Sequence, residues 1–117
     1  MLLRIDQSSP TPLFDQLAAS IRAAAIAGGI RAGERLPAAR DLAESLEVNV
    51  HTVLHAYQVL RDEGLVELRR GRGAIVTGRA DEYSQLSAAI TAVVDEARIL
   101  GVGPDTVSAL LREAFKK

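Results

Sequence analysis

Three arginines fall within four residues, Arg69, Arg70 and Arg72, and two glycines, Gly71 and Gly73, lie among them. A guanidinium forks onto phosphate oxygens, and glycine lets the backbone approach a phosphate or enter a narrow minor groove. A second group, Asn49, Val50, His51 and Thr52 with His55 beyond it, opens an apolar-periodic stretch, where a helix N-terminus faces anions. Arg40 is a third candidate. These are side chains for binding. Bond-making is excluded, because there is no cysteine, no plausible triad and no pair of carboxylates in an identifiable cleft. His51 and His55 are four apart and could share a metal ion, but no Glu follows His51 as a protease signature needs, and no third ligand is evident. No metal and no cofactor are expected. Gly28, Gly29 and Gly33 do not make a phosphate loop, since no Lys-Ser or Lys-Thr follows them.

The elements that must position these groups lie between Leu36 and Thr77. Leu42 and Leu46 are four apart with the small Ala43 beside them, which predicts a helix from about Ala38 to Leu46 with Arg40, Asp41 and Glu44 off the buried face. A turn at Glu47 and Val48 follows. Asn49 is a good N-cap for a second helix, in which Val53, Ala56, Tyr57 and Leu60 face inward while His51, His55 and Gln58 point out. Glu63 and Gly64 end it. Leu65 to Arg69 and Ala74 to Thr77 alternate like the strands of a half-buried hairpin with the arginines at its tip. Two short helices, a polar outer face and a basic hairpin make a winged helix-turn-helix, which places its second helix in the major groove of DNA. An αα-hairpin that only fills a core is the plainer alternative on periodicity alone.

Around this centre, residues 2–9 are expected to be an extended lead-in, Thr11 to cap a helix with Pro12 at its first position, and Leu13, Leu17, Ile21, Ala24 and Ala25 to form that helix's buried stripe, with Phe14 widening it. Arg35-Leu36 reads as a short strand that could pair with the hairpin. Beyond about Asp81, Leu86, Ile90, Val93, Ala97 and Leu100 repeat at alternate steps of four and three, a narrow apolar seam that a lone helix cannot leave in water. Gly101 to Gly103 interrupt it. Pro104 starts a last helix whose apolar side is Val107, Leu110, Leu111, Ala114 and Phe115. The tail is read as a dimerisation region, with folding back on the winged helix of the same chain as the alternative.

Composition limits the rest. With 117 residues, only two Phe, two Tyr and no Trp, the core must rest on Leu, Ile, Val and Ala. The formal net charge is −1, and residues 1–78 hold nine Arg against nine Asp plus Glu, so any nucleic-acid surface depends on clustering and its affinity on salt. The opening MLLRIDQ is too short for a signal peptide, and no apolar run approaches the ~18 residues of a membrane span. A cytoplasmic protein is expected.

These stretches carry a resemblance. PLFDQL (Pro12 to Leu17), Ile21-Arg22, Gly29-Ile30, Ala32-Gly33, LPAARDLA (Leu36 to Ala43), Thr52-Val53, Ala56-Tyr57, Leu60, EGLV (Glu63 to Val66) and GRGAIV (Gly71 to Val76) resemble, in order and spacing, the N-terminal domain of the GntR family of bacterial transcription regulators. The 39 residues from Arg79 to Lys117 are too few for a large ligand-binding or aminotransferase-like second domain, and what remains is similar to the YtrA subfamily, with its small two-helix dimerisation region. The resemblance implies a fold that is mainly α with a small antiparallel β wing: a winged helix-turn-helix over 1–78 and a dimerisation region over 79–117. It implies a homodimeric regulator, a repressor in many members and often of transporter operons, bound to a two-fold-related double-stranded operator.

By the same resemblance Arg40 contacts the operator, Asn49 to Thr52 with His55 choose the sequence, and Arg70 to Gly73 hold phosphates or the minor groove. The seam residues Leu86, Ile90, Val93, Ala97 and Leu100, with Val107, Leu110, Leu111 and Phe115, form the dimer interface. An unidentified small-molecule effector would find room between the dimer helices and the winged domain. Three departures stand out: Val50 replaces a common arginine, Ala38 a frequent serine cap, and Glu47 the glycine favoured in the turn. Val50 offers only an apolar contact such as to a thymine methyl, so the operator of relatives does not transfer. The rival reading is a winged-helix protein-interaction module that does not bind DNA.

Overall fold

A computed structural model describes residues 3–117. The chain divides into two compact units, Met1–Ser84 and Gln85–Lys117.

The first unit is built around one helix. α1 (Leu13–Ile26), α2 (Ala39–Leu46) and α3 (Val50–Asp62) precede an antiparallel hairpin of β1 (Val66–Arg69) and β2 (Gly73–Val76). α3 packs against α1, α2 and β1. Its inward stripe is the one expected: Val53, Ala56, Tyr57 and Leu60 are buried, and with Leu17, Ala18, Ile21, Ile30, Leu42 and Leu65 they form the core. Each large aliphatic side chain buried there contributes about 1.5–3 kcal/mol. In α1 Ala18 joins the buried stripe, while Leu13 and Ala24 stay half-buried at its edge.

The N-terminal boundary differs from expectation. Pro12, with φ −53° and ψ 143°, is the N-cap and Leu13 the first helical residue, and no side chain caps the helix. The extended ψ at Pro12 keeps it outside the helix, and Thr11 offers its carbonyl to Gln16 Nε2 at 2.8 Å instead of capping. The lead-in is also not extended throughout: Asp6 to Ser9 form a turn in which Ser9 N donates to Asp6 O at 3.2 Å, and the Asp6 carboxylate accepts from the Ser8 N–H and hydroxyl. Those bonds favour the charged form and hold the Asp6 carboxyl below its ordinary range. Leu2, included in the expected lead-in, lies outside the described residues.

The helix-turn-helix corner is made by Glu47, the last turn of α2 closing on it with φ 58° and ψ 45°. This is the left-handed conformation that the sequence made costly there. Val48 N donates back to Ala43 O at 3.0 Å, and Val48 packs its side chain on the core. α2 begins after Ala38 with no side-chain cap, as that residue requires. The sheet register is Val66↔Val76 through Arg69↔Gly73, so the strands start and stop one residue inside the expected hairpin on each outer side. The segment before α2 runs along β2: Arg35 bridges Ile75, and Leu36 N donates to Ala74 O at 2.8 Å.

The connection after the wing is docked rather than loose. Gly78–Tyr83 is a 3₁₀ turn, with Ala80 buried, and a fourth helix, α4 (Ser84–Leu100), starts three residues later than the expected Asp81. Two hydroxyls explain the delay. Thr77 Oγ1 donates to Gly64 O at 2.6 Å and accepts from Arg79 N, while Tyr83 OH donates to Glu63 O at 3.0 Å, so Asp81 is still inside the segment tied to the end of α3. Arg79 lies across the Tyr83 ring, 5.7 Å from its centroid.

The second unit consists of most of α4 and of α5 (Pro104–Phe115), neither of which buries a residue. Gly101, at φ 72°, ends α4, and Val102 N donates to Ala97 O at 2.9 Å. Pro104 occupies the first turn of α5, where it costs no hydrogen bond. No helix of the structure is long and apolar enough to cross a membrane, among the described residues.

Candidate nucleic-acid interface

The reading face begins at the N-terminus of α3. Asn49 caps it, its Oδ1 accepting from His51 N at 2.8 Å. That bond fixes the Asn49 side chain on its own helix, so only its amide N–H₂ is left to donate outward. His51 is exposed, and Thr52 and Val50 are half-buried, Val50 resting partly on the core. His55 is exposed but not free: its ring stacks on Phe14 of α1, with centroids 3.7 Å apart and planes 15° from parallel. Phe14 therefore does more than widen a buried stripe. It sets the direction of an imidazole on the outer face of α3.

The wing is a tight turn. Arg72 N donates to Arg69 O at 3.0 Å, which places Gly71 at the turn's third position with φ 80°, a conformation disfavoured for residues with a Cβ. Arg69 pairs with Glu67 at 2.9 Å, whereas Arg40, Arg70 and Arg72 form no ion pair among the described residues. Arg40 stands exposed in the first turn of α2, with neither Asp41 nor Glu44 closing on it. The cations available to an external anion on this unit thus include those singled out by spacing.

Between α3 and the wing lies an open cavity of about 530 Å³. Leu54, Tyr57 and Gln58 form one wall and Leu68 to Gly71, Gly73 and Ala74 the other, with Arg35 and Pro37 to Ala39 closing it. Tyr57 reaches across beneath: its hydroxyl donates to Pro37 O at 2.6 Å, and burial pushes its pKa up to about 12. The cavity brings Arg70, Gly71 and Gly73 to the same recess as α3. Arg40, Asn49, Val50, His51, Thr52, His55 and Arg72 lie outside its lining. Leu54, Arg35 and Leu68 belong to this surface as well, although spacing did not single them out. The signal for Leu54 was present, an apolar residue three after His51 and four before Gln58 on a stripe otherwise polar.

Behind the face, Arg22 of α1 grips Glu63 at the end of α3 through two parallel bonds, Nε to Oε1 at 2.8 Å and Nη2 to Oε2 at 2.6 Å. The hydrogen bonds to Glu63 hold the guanidinium's pKa above its ordinary value. Gly64, at φ 79°, follows; a Cβ there would come within 2.6 Å of Arg79 Cδ.

The second unit carries the seam. Leu86, Ile90, Val93, Leu100, Leu110, Leu111 and Phe115 are all exposed, Leu100 at 75% and Phe115 at 87%, while Ala97 and Val107 are half-buried. Val93, Ala97, Leu100, Val107, Leu110 and Leu111 share one apolar hollow of about 270 Å³.

Comparison with known proteins agrees with this geometry. The family described as "Bacterial regulatory proteins, gntR family" matches residues 13–76. The transcriptional repressor YtrA of Bacillus subtilis is 34% identical over 79 residues, which are 68% of this chain and 61% of that one, so the chain spans about three fifths of that relative's length. The transcriptional regulator Rv1152 of Mycobacterium tuberculosis is 37% identical over 86% of this chain and 83% of its own. Among solved structures, YtrA from Sulfolobus acidocaldarius, a GntR-family transcription factor, superposes with a TM-score of 0.63 at 31% identity, covering 80% of this chain and 97% of that one. With the winged helix and the short two-helix tail both described, the chain belongs to the GntR family of bacterial regulatory proteins and, by its likeness to the two YtrA proteins, to the YtrA-like subfamily.

Proposed function

We propose that this chain is a transcription regulator that binds a two-fold-related DNA operator as a homodimer and acts as a repressor. One observation carries the reading: α3 and the arginine-tipped wing bound the same open recess, with Arg70 and Arg72 in no ion pair among the described residues. In this reading α3 enters the major groove, where Asn49, Val50, His51, Thr52 and His55 meet base edges and the helix N-terminus meets phosphate. Arg40 and the wing, Arg70 to Gly73, fix position on the backbone or in the minor groove. The apolar seam from Leu86 to Leu100, with Val107, Leu110, Leu111 and Phe115, joins two copies, since seven large apolar side chains left in water call for a partner surface. A chromosomal operator puts this work in the bacterial cytoplasm, and no catalytic step is part of it.

The test is the salt dependence of binding to the operator and to unrelated duplexes. Arg72→Ala is expected to weaken both alike and to flatten the slope of log K against log salt by about one unit. A slope equal to that of the unaltered chain would remove Arg72 from the interface, and failure to retain any DNA at low salt would remove the function.

A further inference from the structure

Among the described residues of the first unit, two large apolar side chains are exposed, Leu54 at 41% and Leu68 at 39%. Both line the recess between α3 and the wing, whose rim carries Arg35, Arg69 and Arg70 and whose lining includes no acidic residue. Such a recess suits a polyanion that also presents apolar edges. A duplex is one, and its shape says where it would lie. One sugar–phosphate strand separates the major groove from the adjacent minor groove, so a helix in the first and a wing tip in the second must have that strand between them. Leu54 stands on the α3 side of that gap, one turn beyond Val50, on the stripe it shares with His51 and Gln58. The apolar group that a base pair offers there is the thymine 5-methyl.

We propose that Leu54 is a specificity-determining residue, its side chain meeting the 5-methyl group of one thymine in each operator half-site while Arg35 and Arg70 flank the phosphates of the strand in the recess. The proposal rests on the operator-binding reading above and adds to it a residue outside the tetrad at the helix start. Leucine has no donor or acceptor, so this contact separates thymine from cytosine and uracil by the methyl alone.

The experiment uses the full chain. An operator is selected from random duplexes, each thymine is then replaced singly by deoxyuridine, and dissociation constants are read by fluorescence anisotropy. At the thymine that Leu54 meets in each half-site, loss of the methyl is expected to cost about fourfold in affinity, the effect of burying about one carbon, and about sixteenfold when both half-sites are altered. Leu54→Ala, whose melting curve should match the parent because the side chain is outside the core, is expected to lose discrimination at the thymine that Leu54 meets, while a methyl effect at a thymine met by Val50 persists. A specific operator indifferent to every uracil, or a Leu54→Ala chain that keeps the parent's discrimination at every thymine, overturns the assignment and leaves the regulator standing. Recovery of no specific operator overturns both.

Discussion

Arg22 and Glu63, 41 residues apart in sequence, meet in a two-pronged ion pair that ties the middle of the first helix to the end of the recognition helix. Each side chain is about one-third exposed, so solvent screens much of the attraction. The fork geometry still fixes how α3 is held, because both bonds must form together. Arg22→Ala is expected to lower unfolding free energy by roughly 1 kcal/mol in urea titration, and Arg22→Lys to restore only part of it, since an ammonium cannot fork onto both oxygens. Full recovery with lysine would show that charge alone matters here.

Glu47 carries the left-handed turn of the helix-turn-helix without the residue type that does so freely. Its side chain is exposed and makes no ion pair among the described residues. Glu47→Gly relieves the Cβ strain but gives the unfolded chain more freedom, for a net gain of roughly 0.5–1 kcal/mol. Differential scanning calorimetry checks it; a lowered melting temperature would mean that the turn is not strained.

Tyr57 makes the first unit sensitive to alkali. Its pKa is pushed up to about 12 by burial, from an ordinary value of 10.0. Between those values the unfolded chain loses the proton and the folded chain keeps it, so unfolding is favoured as pH rises. The stabilisation is complete below pH 10 and is lost towards pH 12, by on the order of 2 kcal/mol. Tyr57→Phe should cost about 1 kcal/mol at neutral pH, through the bond to the Pro37 carbonyl, and should flatten the stability profile above pH 10. A profile identical to the parent's would place the alkaline transition elsewhere.

Dimerisation through the tail is tested by charge. Ile90→Asp with Leu100→Asp puts two carboxylates into the seam, where they would be desolvated without partners. Sedimentation equilibrium is expected to show single chains, and operator affinity to fall by at least about a hundredfold as the second half-site is lost. The circular dichroism of the first unit should persist, since these residues lie in the other. A variant that still sediments as a dimer would move the interface off the seam.

Much of the architecture was legible in the sequence. Periodicity fixed α2 and α3 nearly to the residue because Leu42, Val53, Ala56, Tyr57 and Leu60 have one consistent buried face, and Gly64 and Gly71 mark turns that require positive φ. Element ends were less legible. Thr11 and Pro12 suit a cap and a first turn, yet ψ at Pro12 and the bonds to Gln16 shift the start by one residue. Similarly, nothing local announces that Tyr83 reaches back to Glu63 and holds Gly78–Tyr83 as a 3₁₀ turn.

What the amino-acid order determined, then, is which residues must be inside and which turns must exist, because burial periodicity and backbone sterics act over a few neighbours. What only the tertiary structure decided is which outer residues share a surface. Phe14 under His55, Arg22 on Glu63, and Leu54 facing Leu68 across a recess join residues 14 to 41 positions apart, and their directions depend on how α1 and the wing pack on α3. Side-chain type sets what such a surface can bind; only packing sets which types meet.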